Sequence, residues 1–183
     1  MRQPQPFITS TPKLAQQGFS LFIVLMVMIV VAFLVVSVTQ SYNTEQRIST
    51  NDADHKYAFA LAEAALRAGE GRIATDEFER DITFTEGCDN ALCSPAGATA
   101  GRFGNITVNA AAREPAAWER RCGGDLCINT GREVTDLSAR RNPRYIIEYI
   151  STQPDGTVIY RVTAKAWGRN TNTVVILQSY VAA

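Results

Sequence analysis

Cys88, Cys93, Cys122 and Cys127 are the residues of this 183-residue chain whose type and spacing could most directly do chemistry. Thiols hold metals, act as nucleophiles or close disulfides, and each use has its own spacing. The two C-x4-C pairs do not match the C-x2-C knuckles of structural zinc sites, so no metal is expected on them. An even cysteine count in an oxidising compartment favours disulfides. Three connectivities are possible, and the expectation is the local one, Cys88–Cys93 with Cys122–Cys127. Each bridge would add about 2–4 kcal/mol to a domain with a modest core.

The remaining candidates are weaker. His55, the only histidine, stands near Asp52 and Asp54, which could be read as a metal or acid-base group. No second imidazole accompanies it, so the expectation is a solvated side chain on a polar helix face. Glu63 reads as an exposed helix charge, and Trp118 and Trp167 read as packing groups. Asn105-Ile-Thr matches a glycosylation sequon that arises often by chance. Arg140, Arg141 and Arg144 could form a small phosphate-binding patch or simply solvate a loop. There is no glycine-rich phosphate loop, GxSxG elbow or HExxH helix, so no catalysis and no cofactor are expected. Lys+Arg and Asp+Glu both number 18, and bulk charge points to no nucleic-acid partner.

The elements that must position these groups begin with Phe19–Val38, where only Ser20 and Ser37 interrupt an apolar run. Twenty residues at about 1.5 Å each cross a hydrocarbon core of roughly 30 Å, so a membrane helix is expected. Arg2 and Lys13 precede it, which places the N-terminus in the cytoplasm and exports the cysteine-bearing part. Residues 1–18, with Pro4, Pro6 and Pro12, read as a cytoplasmic leader that is removed. No proline or glycine follows until Gly69, and the helix is expected to continue out of the membrane. Its inner face is assigned to Ile48, Phe59, Ala62, Leu66 and Ile73 with Ala65 beside them, and Gly69 and Gly71 are taken as its terminators. The predicted helix spans 19–73, with the exported globular domain at 74–183.

Periodicity fades between Ala74 and Asn142, although GNITVNA could be a strand. It returns after Pro143 in YIIEYIS, VIYRVTAKAWG and VVILQSYV, separated by QPDGT and GRNTNT. Three such runs with turn chemistry between them predict an antiparallel meander, with Asp155-Gly156 at a tight hairpin. Val158, Tyr160, Val162, Ala164 and Ala166 alternate with Arg161 and Lys165. The sheet is therefore expected to turn one face to the helix and the other to water. The predicted fold class is α+β.

The layout resembles the type IV pilins, whose leader ends in glycine followed by phenylalanine, a hydrophobic segment, a long helix and a C-terminal antiparallel sheet. The segment EQRISTNDADHKYAFALAEAALRAGE and the closing YRVTAKAWGRNTNTVVILQSYV resemble the PilX-type minor pilins more closely. The resemblance implies a type IV pilin fold, with a prepilin peptidase cutting after Gly18 and methylating Phe19 on the cytoplasmic side. It departs from the major pilins at the fifth position after the cut, where they carry glutamate and this chain has Ile23. An isolated charge in an apolar core is costly, and that glutamate is thought to neutralise a neighbouring subunit's amine. PilX-type subunits and the tip pseudopilin of type II secretion also lack it.

What the resemblance implies is a minor pilin in a tip or priming complex that promotes pilus biogenesis for twitching motility, adhesion or DNA uptake. The implied partners are other minor pilins, the major pilin, a PilY-type tip adhesin, the inner-membrane assembly platform and the prepilin peptidase. The implied location is the inner membrane of a Gram-negative bacterium, with the C-terminal domain in the periplasm, and then the pilus, at its tip. Two alternatives stay open at this stage: a type II secretion minor pseudopilin, and a bitopic protein whose periplasmic domain never enters a filament.

Overall fold

The computed structural model describes residues 19–75, 77, 78, 80–111 and 115–183. It has an α+β architecture. The chain divides into two units, one ending at Ile48 and the other running from Ser49 to Ala183. Helix α1 is Phe19–Ile73. Among the described residues ten strands follow: β1 (Ile82–Phe84), β2 (Leu92–Cys93), β3 (Gly101–Phe103), β4 (Ile106–Val108), β5 (Arg121–Cys122), β6 (Asp125–Leu126), β7 (Arg132–Glu133), β8 (Arg144–Thr152), β9 (Val158–Trp167) and β10 (Val174–Ala182).

In the second unit, β8, β9 and β10 form the antiparallel meander, with Val162 opposite both Ile147 and Ser179. The β8–β9 turn closes with Gly156 N–H donating to Gln153 O at 3.0 Å, and Gly156 takes a φ of +93° that a side chain would resist. β2 extends the sheet in parallel beyond β8, while β7 pairs antiparallel with β8. GNITVNA supplies β4, the centre of a small second sheet between β1 and β3.

The helix buries most of the expected face, but not Phe59 or Ile48. Ala58, Leu61, Ala62, Ala65 and Ile73 are buried, Leu66 is half-buried, and Phe59 and Ile48 are exposed. Small residues carry this interface because they let the helix lie close to the sheet. Gly69 shows how close: a Cβ there would sit 2.5 Å from Val162 Cγ1 and 3.0 Å from Tyr145 Cδ2. The two glycines are not terminators, since α1 continues to Ile73. Gly69 is a contact point, where the missing side chain admits Val162.

The expectation that one sheet face meets water holds on β10 and is corrected on β8 and β9. Tyr145, Ile147, Tyr149, Tyr160, Val162 and Ala164 form one core with Ala65 and Ile73 from the helix, extended by Phe78, Phe84 and Ile106 from the segment after it. The opposite face is covered along β8 and β9 but open along β10, where Val174, Ile176, Gln178 and Tyr180 are exposed. On the covered part Ile146 packs with Ala91, Cys93, Ala117, Cys127 and Ile128, so Thr163, Lys165 and Trp167 are buried rather than solvated. The described residues between Ala74 and Asn142, which show no clear period, thus serve both sides: Phe78, Phe84 and Ile106 join the helix-side core, while Ala91, Ala117, Cys127 and Ile128 form the second layer.

Candidate assembly interface

Phe19 opens the helix and is 73% exposed, and every residue from Phe19 to Val38 is exposed. The span is long and apolar enough to cross a membrane. Beyond the first turn its backbone polar groups bond within the helix, and Ser37 donates its hydroxyl to Phe33 O at 2.9 Å, so that side chain also makes no demand on a partner. What the span does demand is cover for its apolar surface. Ile23 lies on it, 48% exposed, and its first turn holds no acid. A free amine at Phe19 would find no carboxylate in that turn. Gly18 falls outside the described residues.

The cysteines are joined as Cys88–Cys93 and Cys122–Cys127, each across a separation of five residues. Such short loops put the entropic gain at the low end, about 2 kcal/mol per bridge. The two bridges are neighbours, with Cys88, Cys122 and Cys127 Sγ all within 4.8 Å of one another. Arg120, 3% exposed, lies against them: its Nη2 donates to Glu86 O and Ser94 O, both at 3.0 Å, and sits 3.9 Å from Cys88 Sγ.

The domain also holds a buried ion pair. Glu148 is fully buried and accepts from Arg161 Nε at 2.8 Å and Nη2 at 2.9 Å, and from the Ala117 N–H at 3.1 Å. The hydrogen bonds to Glu148 hold the Arg161 guanidinium protonated more firmly than usual, against the opposing effect of burial. These two residues face each other across β8 and β9. Opposite charges at paired strand positions were the signal by which the pair could have been found. Tyr160, in the helix-side core, has its hydroxyl pushed up to about 12 by burial, so it stays neutral at physiological pH.

Asp54 ties the helix to the β9–β10 hairpin. Its carboxylate accepts from Arg169 N–H at 2.6 Å and Asn170 N–H at 3.3 Å. A Cβ on Gly168 would fall 2.5 Å from Asp54 Oδ2, so the glycine makes room for the carboxylate. The hydrogen bond from Thr173 holds the Asp54 carboxyl below its ordinary 3.8, with the two backbone donors helping and burial opposing. The Arg169 guanidinium lies 5.3 Å from the Tyr57 ring centroid. Asp54 is thus a clamp, and its neighbour His55 is exposed.

The other sequence candidates scatter. Glu63 pairs with Arg67 on the surface at 3.5 Å. Trp118 packs half-buried beside the disulfides, and buried Trp167 lies under Arg141, 3.5 Å from guanidinium carbon to ring centroid. Asn105 spends its amide on Phe78 O at 2.7 Å and Arg80 O at 2.9 Å, which makes it a loop fastener rather than a free glycosylation acceptor. The three arginines divide their work: Arg144 pairs with Glu133 at 2.7 Å, Arg141 stacks on Trp167, and Arg140 donates to Arg169 O at 3.4 Å.

Residues 63–183 match the family model described as type IV pilus assembly protein PilX, C-terminal part, and residues 17–67 match the PilX N-terminal model. The chain belongs to the PilX family. PilX membership gives it a role in type IV pilus assembly and interaction with other pilus assembly components. The N-terminal PilX match covers the apolar run, in keeping with a single membrane anchor. Neither a curated protein nor a solved structure matches the chain.

Proposed function

We propose that this protein is a minor pilin that works in a tip or priming complex for pilus biogenesis, as a structural subunit and not as a catalyst. The observation that carries the reading is the apolar run Phe19–Val38, exposed along its whole length and carrying Ile23 where major pilins have glutamate. Such a surface is at rest only in lipid or against similar helices. In lipid, helices associate through van der Waals fit rather than through a hydrophobic gain, so the choice of neighbours depends on shape. Extraction into a filament is unfavourable for a lone helix, and the assembly motor, driven by ATP in the cytoplasm, supplies that work. A peptidase cutting after Gly18 and methylating Phe19 leaves the helix as the assembly element.

Without a carboxylate at Ile23, the subunit cannot neutralise a neighbour's amine within the apolar bundle, which disfavours repeated use along a shaft. A few copies at the tip, beside other minor pilins and beneath a tip adhesin, fit that deficit. The pilus so initiated serves motility, adhesion or DNA uptake. The test is deletion of the gene followed by complementation with the native sequence or with Ile23→Glu, counting surface filaments. Filament number should fall on deletion and return with the native sequence, and Ile23→Glu should redistribute the subunit towards the shaft. Unchanged filament number after deletion would leave a bitopic protein outside the filament as the better account.

A further inference from the structure

The two disulfides and Arg120 hold more than a structural staple requires. Three of the four sulfurs lie within mutual reach at 4.8 Å, and the guanidinium beside Cys88 keeps two donors, Nε and Nη1, buried without a hydrogen-bond partner. Its third nitrogen, Nη2, shares the Glu86 carbonyl with Cys122 Sγ, which is 3.8 Å from that oxygen. Arg120 therefore sits between the two bridges. A buried cation with spare donors stabilises negative charge on sulfur, and it opposes a metal cation in the same place.

We propose that Cys88, Cys93, Cys122 and Cys127 form one thiol–disulfide exchange site, in which Arg120 is the positioning residue and an external dithiol is the reductant. Cys122 is the half-buried sulfur, while Cys88, Cys93 and Cys127 are buried. A thiolate of the dithiol attacks Cys122 Sγ; the new S–S bond forms as the Cys122–Cys127 bond breaks, and the electron pair leaves on Cys127. That thiolate attacks Cys88 Sγ. The Cys88–Cys127 bond forms, the Cys88–Cys93 bond breaks, and Cys93 leaves with the electron pair and takes up a proton. The second thiol of the reagent then closes its own disulfide and releases Cys122 as a thiol. One protein disulfide has been reduced to two thiols and the dithiol has been oxidised. The surviving bond now links the β1–β2 turn to the end of the β5–β6 hairpin instead of stapling either one to itself.

The test uses the full-length protein in detergent micelles with equimolar dithiothreitol, quenched by N-ethylmaleimide at intervals, digested and mapped by mass spectrometry. The expected product is a Cys88–Cys127 linked peptide with Cys93 and Cys122 alkylated, formed while the circular dichroism of the folded protein persists. Alkylation of Cys122 and Cys127 with Cys88–Cys93 intact, or cross-linked peptide in urea alone, overturns the proposal. Arg120→Met should slow appearance of the cross-linked peptide on the order of tenfold, with Arg120→Lys restoring most of the rate. Equal rates in Arg120→Met and the native protein would remove Arg120 from the mechanism. If Arg120→Met does not fold, the native time course alone decides the exchange step.

Discussion

Two stretches of this chain solve the burial problem in opposite ways. From Ser49 onward the core side chains pack within the domain: small helix residues against β9 and β10, aromatics against aromatics, Glu148 against Arg161. From Phe19 to Val38 nothing is covered, although this is the most apolar stretch of the sequence. Hydrophobicity by itself therefore does not locate the core. The domain is stable by its own contacts, whereas the apolar run is stable only by what surrounds it, and that dependence is what an assembly subunit needs.

The contrast can be broken from either side, and the largest effect is expected inside the domain. Glu148→Ala leaves the Arg161 guanidinium without its partner in a buried setting, and the unfolding free energy should fall by about 3–5 kcal/mol in a denaturant titration. Replacing both Glu148 and Arg161 with methionine should recover a good part of that. A single substitution as mild as a surface one would mean the pair is more solvated than its burial indicates.

In the span the expected damage is to insertion rather than folding. Val30→Arg should cost about 2.5–3.5 kcal/mol of membrane partitioning and lower the membrane-bound fraction. The hydrogen-exchange protection of β8 and β9 should not change. Loss of protection in the sheet would show that the two stretches are not independent in the way proposed.

Gly69→Val sharpens the comparison at the helix–sheet contact. The added side chain meets Val162 and Tyr145, and overpacking of this kind costs about 1–3 kcal/mol, enough to lower the melting temperature by several degrees. Gly71→Val, with nothing within 4 Å of its Cβ position, should show only the ordinary helix-propensity change.

The smallest effect is local. Asp54→Ala should speed hydrogen exchange at the Arg169 and Asn170 amides and leave the rest of the sheet unchanged. Because the folded carboxyl lies below its ordinary 3.8, its contribution is present above that value and is lost as pH falls through the folded one. Native protein taken below that point should then exchange at these two amides as Asp54→Ala does. Protection unaffected by either change would dismiss the clamp.

Legibility in the sequence followed the same division. The meander could be read because β-branched and aromatic residues alternate along β8 to β10 and turn residues separate them. The helix could be read from its length and its lack of breakers. Its buried face could be read in part: Ala62, Ala65, Leu66 and Ile73 turn inward as their spacing predicts, while Ala58, Leu61 and Gly69 join them by close packing. Hydrophobicity also points to Phe59 and Ile48, which stay exposed, and helix-stop chemistry points to Gly69, which is a contact point instead. The second layer was hidden for a related reason. Its cover depends on Glu148, Arg120 and Lys165, charged side chains that a pattern reading sends to solvent and that the fold instead pairs, buries and ties to backbone carbonyls or Asn129. The cysteine spacing bounded the choices at the candidate site without showing that the two bridges are neighbours.

On the proposed function, the exposed helix beginning at Phe19 is the working end of a processed assembly subunit. Intact-mass analysis of the protein isolated from its native membranes tests it most directly. The expected result is a chain beginning at Phe19 and bearing one N-methyl group. A chain that keeps residues 1–18, or that is cut beyond Val38, would contradict it.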